Sequence, residues 1–302
     1  MKKILIAGAN GLLGQKLVQS LEENFQILAT GVEPAFELSG QNNNYEVLDI
    51  TNPSRCKEFI ISYQPDVIIN SASITNVDAC EKQKELCWSV NVKGVENLAK
   101  ACKQNMTMLI HISTDYIFDG ESGPYSETDK PNPLGYYGKS KLASENICRI
   151  TGIPYAILRT SVLFGLGINV KTNFFLWLYN KLKNNEPVNI VTDQFNTPTL
   201  VDDLASGIKL LIENSSYGIF NISGEDYLNR FDFANLLADT FNFHRDLIKP
   251  IKTKELNQEA KRPVYGGLNN SKAKNELDYH PRKVIDAFNL LKMQLQTESK
   301  LT

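Results

Sequence analysis

Three features of this 302-residue chain predict an α/β fold built on a doubly wound parallel sheet. Short apolar runs alternate with longer helical patterns through the first half. The runs are apolar on both faces, as strands covered on both sides are. Three glycines, Gly8, Gly11 and Gly14, sit three residues apart directly after the first run, where an amphipathic helix begins.

The strand candidates, in order, are KILIAG, FQILATG, EVLDI, DVIINSA, MLIHIST and YAILRTSVLFG. Helical periodicity places helices between them at 11–23, 53–63 (opening on Pro53), 86–103 and 135–151. This is the β-α-β rhythm of a Rossmann sheet. After about residue 165 the rhythm changes to an aromatic-rich helical stretch, KTNFFLWLYNKLKNN, short strand-like pieces and helical patterns at 201–213 and 231–241. The expected division is a dinucleotide-binding domain over 1–165, with segments near 201–222 returning to it, and a smaller C-terminal α/β substrate lobe within 166–302. The polar tail QTESKLT is expected to fray.

Composition narrows the class of partner. A formal charge of −2 gives no general reason to bind nucleic acid or an anionic membrane, so a small molecule is expected. The five cysteines are an odd number with no C-x-x-C pair, which reads as reduced, buried thiols. The apolar run after Met1-Lys2-Lys3 is too short for a signal peptide, and no stretch reaches membrane-spanning length. A cytoplasmic setting follows. No cluster has metal-ligand spacing, so no metal is expected.

The glycine spacing has a chemical reason. A tight turn needs Gly8, a pyrophosphate close to the backbone needs no side chain at Gly11, and helix-to-strand packing favours Gly14. Asn10, Leu12 and Leu13 belong to the same turn, and the helix start offers N–H groups to the anion. The second run ends in ATGVEP: Thr30 and Gly31 are neither acid nor base and Glu33 lies slightly beyond, so NADPH and NADH both remain open. Asp49 and Ile50 fall where the adenine end would lie, with a strand-end cap as the alternative for Asp49. Ser71, Ala72 and Ser73, after the fourth run, complete the expected cofactor contacts.

Tyr-x-x-x-Lys occurs at Tyr137/Lys141, Tyr179/Lys183 and Tyr279/Lys283. Spacing alone decides nothing. The last pair encloses Pro281 and the second lies in the aromatic helix, where packing is the default. Only Tyr137/Lys141 follows the strand ending in Ser113-Thr114-Asp115. Residues four apart share a helix face, so the Lys141 ammonium can lie near the Tyr137 phenol, whose reference pKa of about 10 otherwise makes it a poor proton carrier. Thr114 could hydrogen-bond the same carbonyl oxygen.

These residues carry a resemblance. GANGLLG, PDVIINSASITNVDACE, NVKGVENLAKAC, ISTDYIFDG, YSETDKPNPLGYYGKSKLASE, LRTSVLFG, DQFNTPT and RPVYGGL together make nearly the whole chain similar to the extended short-chain dehydrogenase/reductase family. The resemblance implies a catalytic set of Thr114, Tyr137 and Lys141, with Lys141 also gripping the nicotinamide ribose. It implies that Asn91 helps a water-linked proton path, and that Thr75, Val77, Asp115 and Tyr116 face the substrate. Packing is the competing role for Val77. Arg262, with Lys261 behind it, is the candidate cation for a nucleotide pyrophosphate.

The implied reaction is NAD(P)H-dependent reduction of the C4 ketone of a nucleotide-linked 4-keto-6-deoxy sugar. A 4,6-dehydratase of the family carries Thr-Asp-Glu, but Tyr116 stands at the third position here. The base for dehydration is therefore missing. A nucleotide-sugar 4-epimerase and a dinucleotide-binding regulatory subunit stay open. The chain departs from the sugar reductases at Val162, where they commonly have Trp, at Asn196 in place of Gly and at Gly267 in place of Ser. The resemblance allows a homodimer.

Overall fold

Strand β1 (Lys3–Ala7) lies inside a seven-stranded sheet in a computed structural model of the chain. Residues 1–35, 38, 44–256 and 258–301 are described. Helix α1 (Leu12–Leu21), β2 (Gln26–Gly31), β3 (Asn44–Val47), α2 (Pro53–Tyr63) and β4 (Val67–Asn70) follow in turn. A short helix not expected from the sequence, α3 (Val77–Lys82), comes next, and the helix expected over 86–103 is divided into α4 (Lys84–Trp88) and α5 (Gly94–Asn105), joined by a wide π turn at Ser89–Lys93. Such turns re-aim single residues and recur at functional sites; this one carries Asn91.

Strand β5 (Met108–Thr114), helix α6 (Tyr136–Ile150) and β6 (Tyr155–Thr160) complete the central series. The single strand expected from YAILRTSVLFG breaks at Val162, whose φ of 41° no strand can hold. Beyond it lie β7 (Leu163–Phe164), α7 (Phe174–Lys183), β8 (Val188–Val191), β9 (Phe195–Asn196), β10 (Thr199–Leu200) and α8 (Val201–Glu213). The chain ends with β11 (Gly218–Asn221), β12 (Leu228–Asn229), α9 (Arg230–Phe241), β13 (Ile248–Ile251), α10 (Ser271–Leu277) and α11 (Val284–Leu301). Part of the tail QTESKLT thus continues a helix through Leu301 instead of fraying.

The sheet order is β3-β2-β1-β4-β5-β6-β11, with every neighbouring pair parallel. The order reverses between β1 and β4, and the crevice beyond that switch point is where such sheets bind ligands. Along β1, Ile4 and Ile6 join a core with α1, α8 and α10, while Leu5 and Ala7 join one with α2 and α5. Each such aliphatic side chain contributes about 1.5–3 kcal/mol when fully buried. A third core unites α7, α9 and α11, with Phe233 edge-on to Phe164 at 5.3 Å and to Phe288 at 4.9 Å. The chain's five cysteines are buried and unbridged. No described helix is long and apolar enough to cross a membrane.

Candidate active site

The glycine turn closes on itself through backbone groups. Gly8, at φ 82°, and Ala9 both donate to the Thr30 carbonyl at 2.8 Å, and Gly11 N–H donates to the Gly8 carbonyl at 3.1 Å. A Cβ at Gly14 would stand 2.2 Å from the Gly8 oxygen, so only glycine lets α1 start this close to β1. Gly11 differs: its Cβ would meet only the Gly8 oxygen, at 3.3 Å, leaving the space above it open. No side chain caps α1, and its first turn holds no acid. The first N–H groups of a helix have no acceptor within it, so this turn fits a pyrophosphate. Leu13 is buried in the core and can offer only its amide.

Around the turn, Asn10 points its amide at the Ala35 carbonyl (2.9 Å) and the Glu33 carboxylate (3.2 Å), which sets it behind the turn. Asp49 accepts from both the amide and the hydroxyl of Thr51 at 2.8 Å, the strand-end cap that was its alternative role. Ile50 packs where a Cβ on Gly94 would lie. Ser71 donates to the Ala7 carbonyl at 2.7 Å, and Ala72 lies against Gly8, so the end of β4 forms the second wall of the crevice.

Tyr137 and Lys141 lie one turn apart on α6, both buried, facing the end of β5. Burial pushes the Tyr137 phenol above its ordinary value, opposed by a hydrogen bond with Thr114. The phenol therefore carries its proton at neutral pH. Burial lowers Lys141 to about 8, with the Glu145 carboxylate opposing the shift. The Lys141 ammonium lies 3.4 Å from His111 Nε2, while the phenol and the Thr114 hydroxyl meet, and a phenol and a hydroxyl so placed can polarise and protonate one carbonyl oxygen.

Two polar networks, unread in the sequence, hold this arrangement. Glu145, fully buried on α6, accepts from Ser113 Oγ at 2.7 Å, Arg159 Nε at 3.0 Å and Arg159 Nη2 at 2.8 Å. It fixes α6 to β5 and β6. In the second network, Ala72 N–H donates to Asn70 Oδ1 at 3.2 Å, which turns Asn70 Nδ2 toward His111 Nδ1 at 3.3 Å. That assigns the imidazole proton to Nε2, which donates to Ser144 Oγ at 2.8 Å, and Ser144 donates to the Lys141 carbonyl at 2.7 Å. Burial first, and then Lys141, hold His111 well below its ordinary value, so it is neutral. The only sequence signal was a histidine in an otherwise apolar strand.

Asn91 is fully buried and spends its carboxamide on structure. Its oxygen accepts from Ile74 N–H (2.8 Å) and Ser73 Oγ (2.9 Å), and its nitrogen donates to Ile74 O (3.0 Å) and Ser140 Oγ (3.1 Å). Thr75 is exposed, and Val77 packs against the cluster containing Tyr137. Tyr116 meets the Tyr137 ring edge-on at 5.9 Å. Asp115 is buried, accepting from Ser161 Oγ at 2.7 Å and Gly267 N–H at 3.2 Å. It ties the C-terminal segment to β5 rather than facing open space, and burial raises its carboxyl. Arg262 is held by both Asp78 oxygens, at 2.9 and 2.6 Å, and its hydrogen bond keeps Asp78 below the ordinary range. Lys261 is exposed. Tyr179 stacks among Phe175, Phe241 and Phe243, while Tyr279 is buried and donates to Ser223 O at 3.1 Å.

A glycine turn at the switch point of a parallel sheet, with a Tyr-x-x-x-Lys helix beside the next strand end, defines an extended short-chain dehydrogenase/reductase. The chain belongs to the RmlD substrate binding domain family, whose model matches residues 1–295. It is 34% identical over 295 residues to a dTDP-4-dehydrorhamnose reductase from Aggregatibacter actinomycetemcomitans, covering 93% of this chain and 95% of that one. A crystal structure of a dTDP-4-dehydrorhamnose reductase from Bacillus anthracis in complex with NADP superposes with a TM-score of 0.88 at 30% identity, covering 97% of this chain and 100% of the other. Methionine adenosyltransferase 2 subunit beta from Xenopus tropicalis is 33% identical over 257 residues, 83% of this chain and 75% of its own.

Proposed function

We propose that this protein reduces the C4 ketone of a nucleotide-linked 4-keto-6-deoxy sugar with NADPH or NADH, converting dTDP-4-dehydro-L-rhamnose to dTDP-L-rhamnose. The observation that carries the reading is the buried Tyr137 phenol, hydrogen-bonded with Thr114 and one helix turn from Lys141. Gly8, Gly11, Gly14 and the amides of Leu12 and Leu13 would hold the pyrophosphate, with Ser71, Ala72 and Ser73 as the opposite wall. The chemistry that a nicotinamide would supply there is a hydride for C4. Tyr137 gives its proton to the oxygen at that carbon, and Thr114 orients the oxygen by hydrogen bonding. Lys141 holds positive charge beside the phenolate that results. Tyr116, Thr75 and Val77 border the sugar, and Asn91 acts by fixing the 73–74 segment.

In this reading the segment 1–165, joined by 201–222, binds the dinucleotide and the rest of 166–302 holds the substrate. The protein works in the cytoplasm, which its unbridged thiols support, and as a homodimer, which gel filtration with light scattering tests. The similarity to an adenosyltransferase β subunit favours one other reading, a regulatory subunit that binds a dinucleotide without turning over sugar. The experiment follows nicotinamide absorbance after adding dTDP-4-dehydro-L-rhamnose, with NADPH and NADH in parallel. Stoichiometric oxidation supports the reductase and ranks the cofactors. An epimerase would interconvert sugars without net oxidation, and a regulatory subunit would bind cofactor, oxidise none and co-purify with a partner.

A further inference from the structure

We propose that Arg230 grips the phosphate next to the sugar, and so sets this protein's affinity for a nucleoside diphosphate. The proposal rests on the nucleotide-sugar reading above. Six of the chain's seven arginines have a carboxylate partner: Arg55, Arg149, Arg159, Arg245, Arg262 and Arg282. Arg230 has no ion pair among the described residues, although it is half-buried.

Its charge is only partly compensated within the chain. Arg230 is the first residue of α9, and a cation at a helix N-terminus opposes the helix dipole. The neighbouring acid does not compensate, because the Asp232 carboxylate accepts from Asn229 Nδ2 at 2.7 Å within the helix cap. The Arg230 charge opposes the upward push of burial on the Asp115 carboxyl, yet Asp115 accepts its hydrogen bonds from Ser161, Thr114 and the Gly267 amide and makes no salt bridge with the guanidinium.

The guanidinium is nevertheless held in place. Its carbon lies 4.6 Å from the centroid of the Phe174 ring on α7, a contact that fixes the plane of the fork and leaves its N–H groups free to point sideways. It is within hydrogen-bonding reach of the Tyr116 phenol, and the Tyr116 ring in turn meets Tyr137 at 5.9 Å. An anion on Arg230 would thus lie one aromatic ring beyond the proton donor, on the scale that separates C4 of a hexose from its glycosyl phosphate. A planar fork suits phosphate because it can donate two parallel hydrogen bonds. Arg262, the cation nominated from sequence, is neutralised by two bonds to Asp78 and cannot play this part as freely.

The test compares dTDP with dTMP, which differ by the phosphate in question. Calorimetric titration of the wild type, Arg230→Gln and Arg230→Lys, each saturated with NADP+, gives two affinities per protein. The wild type should prefer dTDP. Arg230→Gln should weaken dTDP by about tenfold or more while sparing dTMP and NADPH, and Arg230→Lys should recover part of the loss. Because the dTDP-to-dTMP ratio is measured within one protein, a general loss of folding does not move it. An unchanged ratio in Arg230→Gln overturns the proposal alone. A wild type that binds neither dTDP nor UDP overturns the nucleotide-sugar reading and this proposal with it.

Discussion

Replacing Gly138 by alanine sets local helix preference against tertiary contact. Gly138 follows Tyr137 on α6, and a Cβ there would stand 2.1 Å from the Tyr116 carbonyl oxygen and 3.0 Å from the Pro133 Cβ. Restoring an ordinary contact of about 3.5 Å requires α6 and the 115–117 turn to part by about 1.4 Å. Alanine would favour the helix by about 1 kcal/mol over glycine, while overpacking of this kind costs about 1–3 kcal/mol. The contact should win. The variant should be less stable by up to about 2 kcal/mol, a fall in melting temperature of about 2–4 °C per kcal/mol. Turnover should suffer more, because a 1 Å error between Tyr137 and Thr114 costs about a hundredfold. Thermal melts and steady-state nicotinamide oxidation on the same preparation read both effects. A Gly138→Ala protein as stable as the wild type, with full turnover, would show that close approach of α6 to the end of β5 is not what positions Tyr137.

Three other perturbations separate the parts of the site. Gly11→Val should fold normally, since its Cβ meets only one atom at 3.3 Å, yet weaken NADPH by about tenfold or more in a fluorescence titration; unchanged affinity would displace the phosphate from this turn. Lys141 is lowered from 10.5 to about 8, so its charge is lost as pH rises through 8 and the kcat/KM profile should show its alkaline limb there. Stability should respond with the opposite sign: between about 8 and 10.5 the unfolded chain holds a proton the folded one lacks, so this group's contribution to stability rises with pH, and a limb that persists in Lys141→Met would assign the titration elsewhere. Arg159→Met leaves the buried Glu145 with only the partly exposed Arg149 as guanidinium partner and should cost up to about 3–5 kcal/mol in urea unfolding; a loss under 1 kcal/mol would remove the anchor role given to this pair.

The dinucleotide half of the site was legible because its chemistry is written in adjacent residues: a glycine turn, a strand before it and a helix after it. The Tyr137/Lys141 pair was legible because, of three pairs with this spacing, it alone follows the strand ending in Ser113-Thr114-Asp115. What escaped was set by contacts distant in sequence. Nothing near Arg262 announces that Asp78, far back in the chain, neutralises it, and nothing near Arg230 announces that it lacks a salt bridge. Likewise Asp115 reads as an available acid until Gly267 closes over it from the C-terminal segment. The break at Val162 escaped because a β-branched residue argues for a strand, whereas the bonds of Ser161 to Asp115 and of Thr199 N–H to the Val162 carbonyl impose a left-handed φ. Helices α10 and α11 were missed in a C-terminal segment whose apolar residues are spaced among many charges.

The decisive comparison is a single-turnover measurement of NADPH oxidation with dTDP-4-dehydro-L-rhamnose, made on the wild type and on Tyr137→Phe with NADPH affinity measured alongside. Loss of the phenol proton should slow oxidation by about 10²–10⁴-fold while NADPH binds within about twofold of the wild type. A Tyr137→Phe protein that oxidises NADPH within tenfold of the wild-type rate would contradict the assignment of Tyr137 as proton donor, and with it the mechanism built on this site.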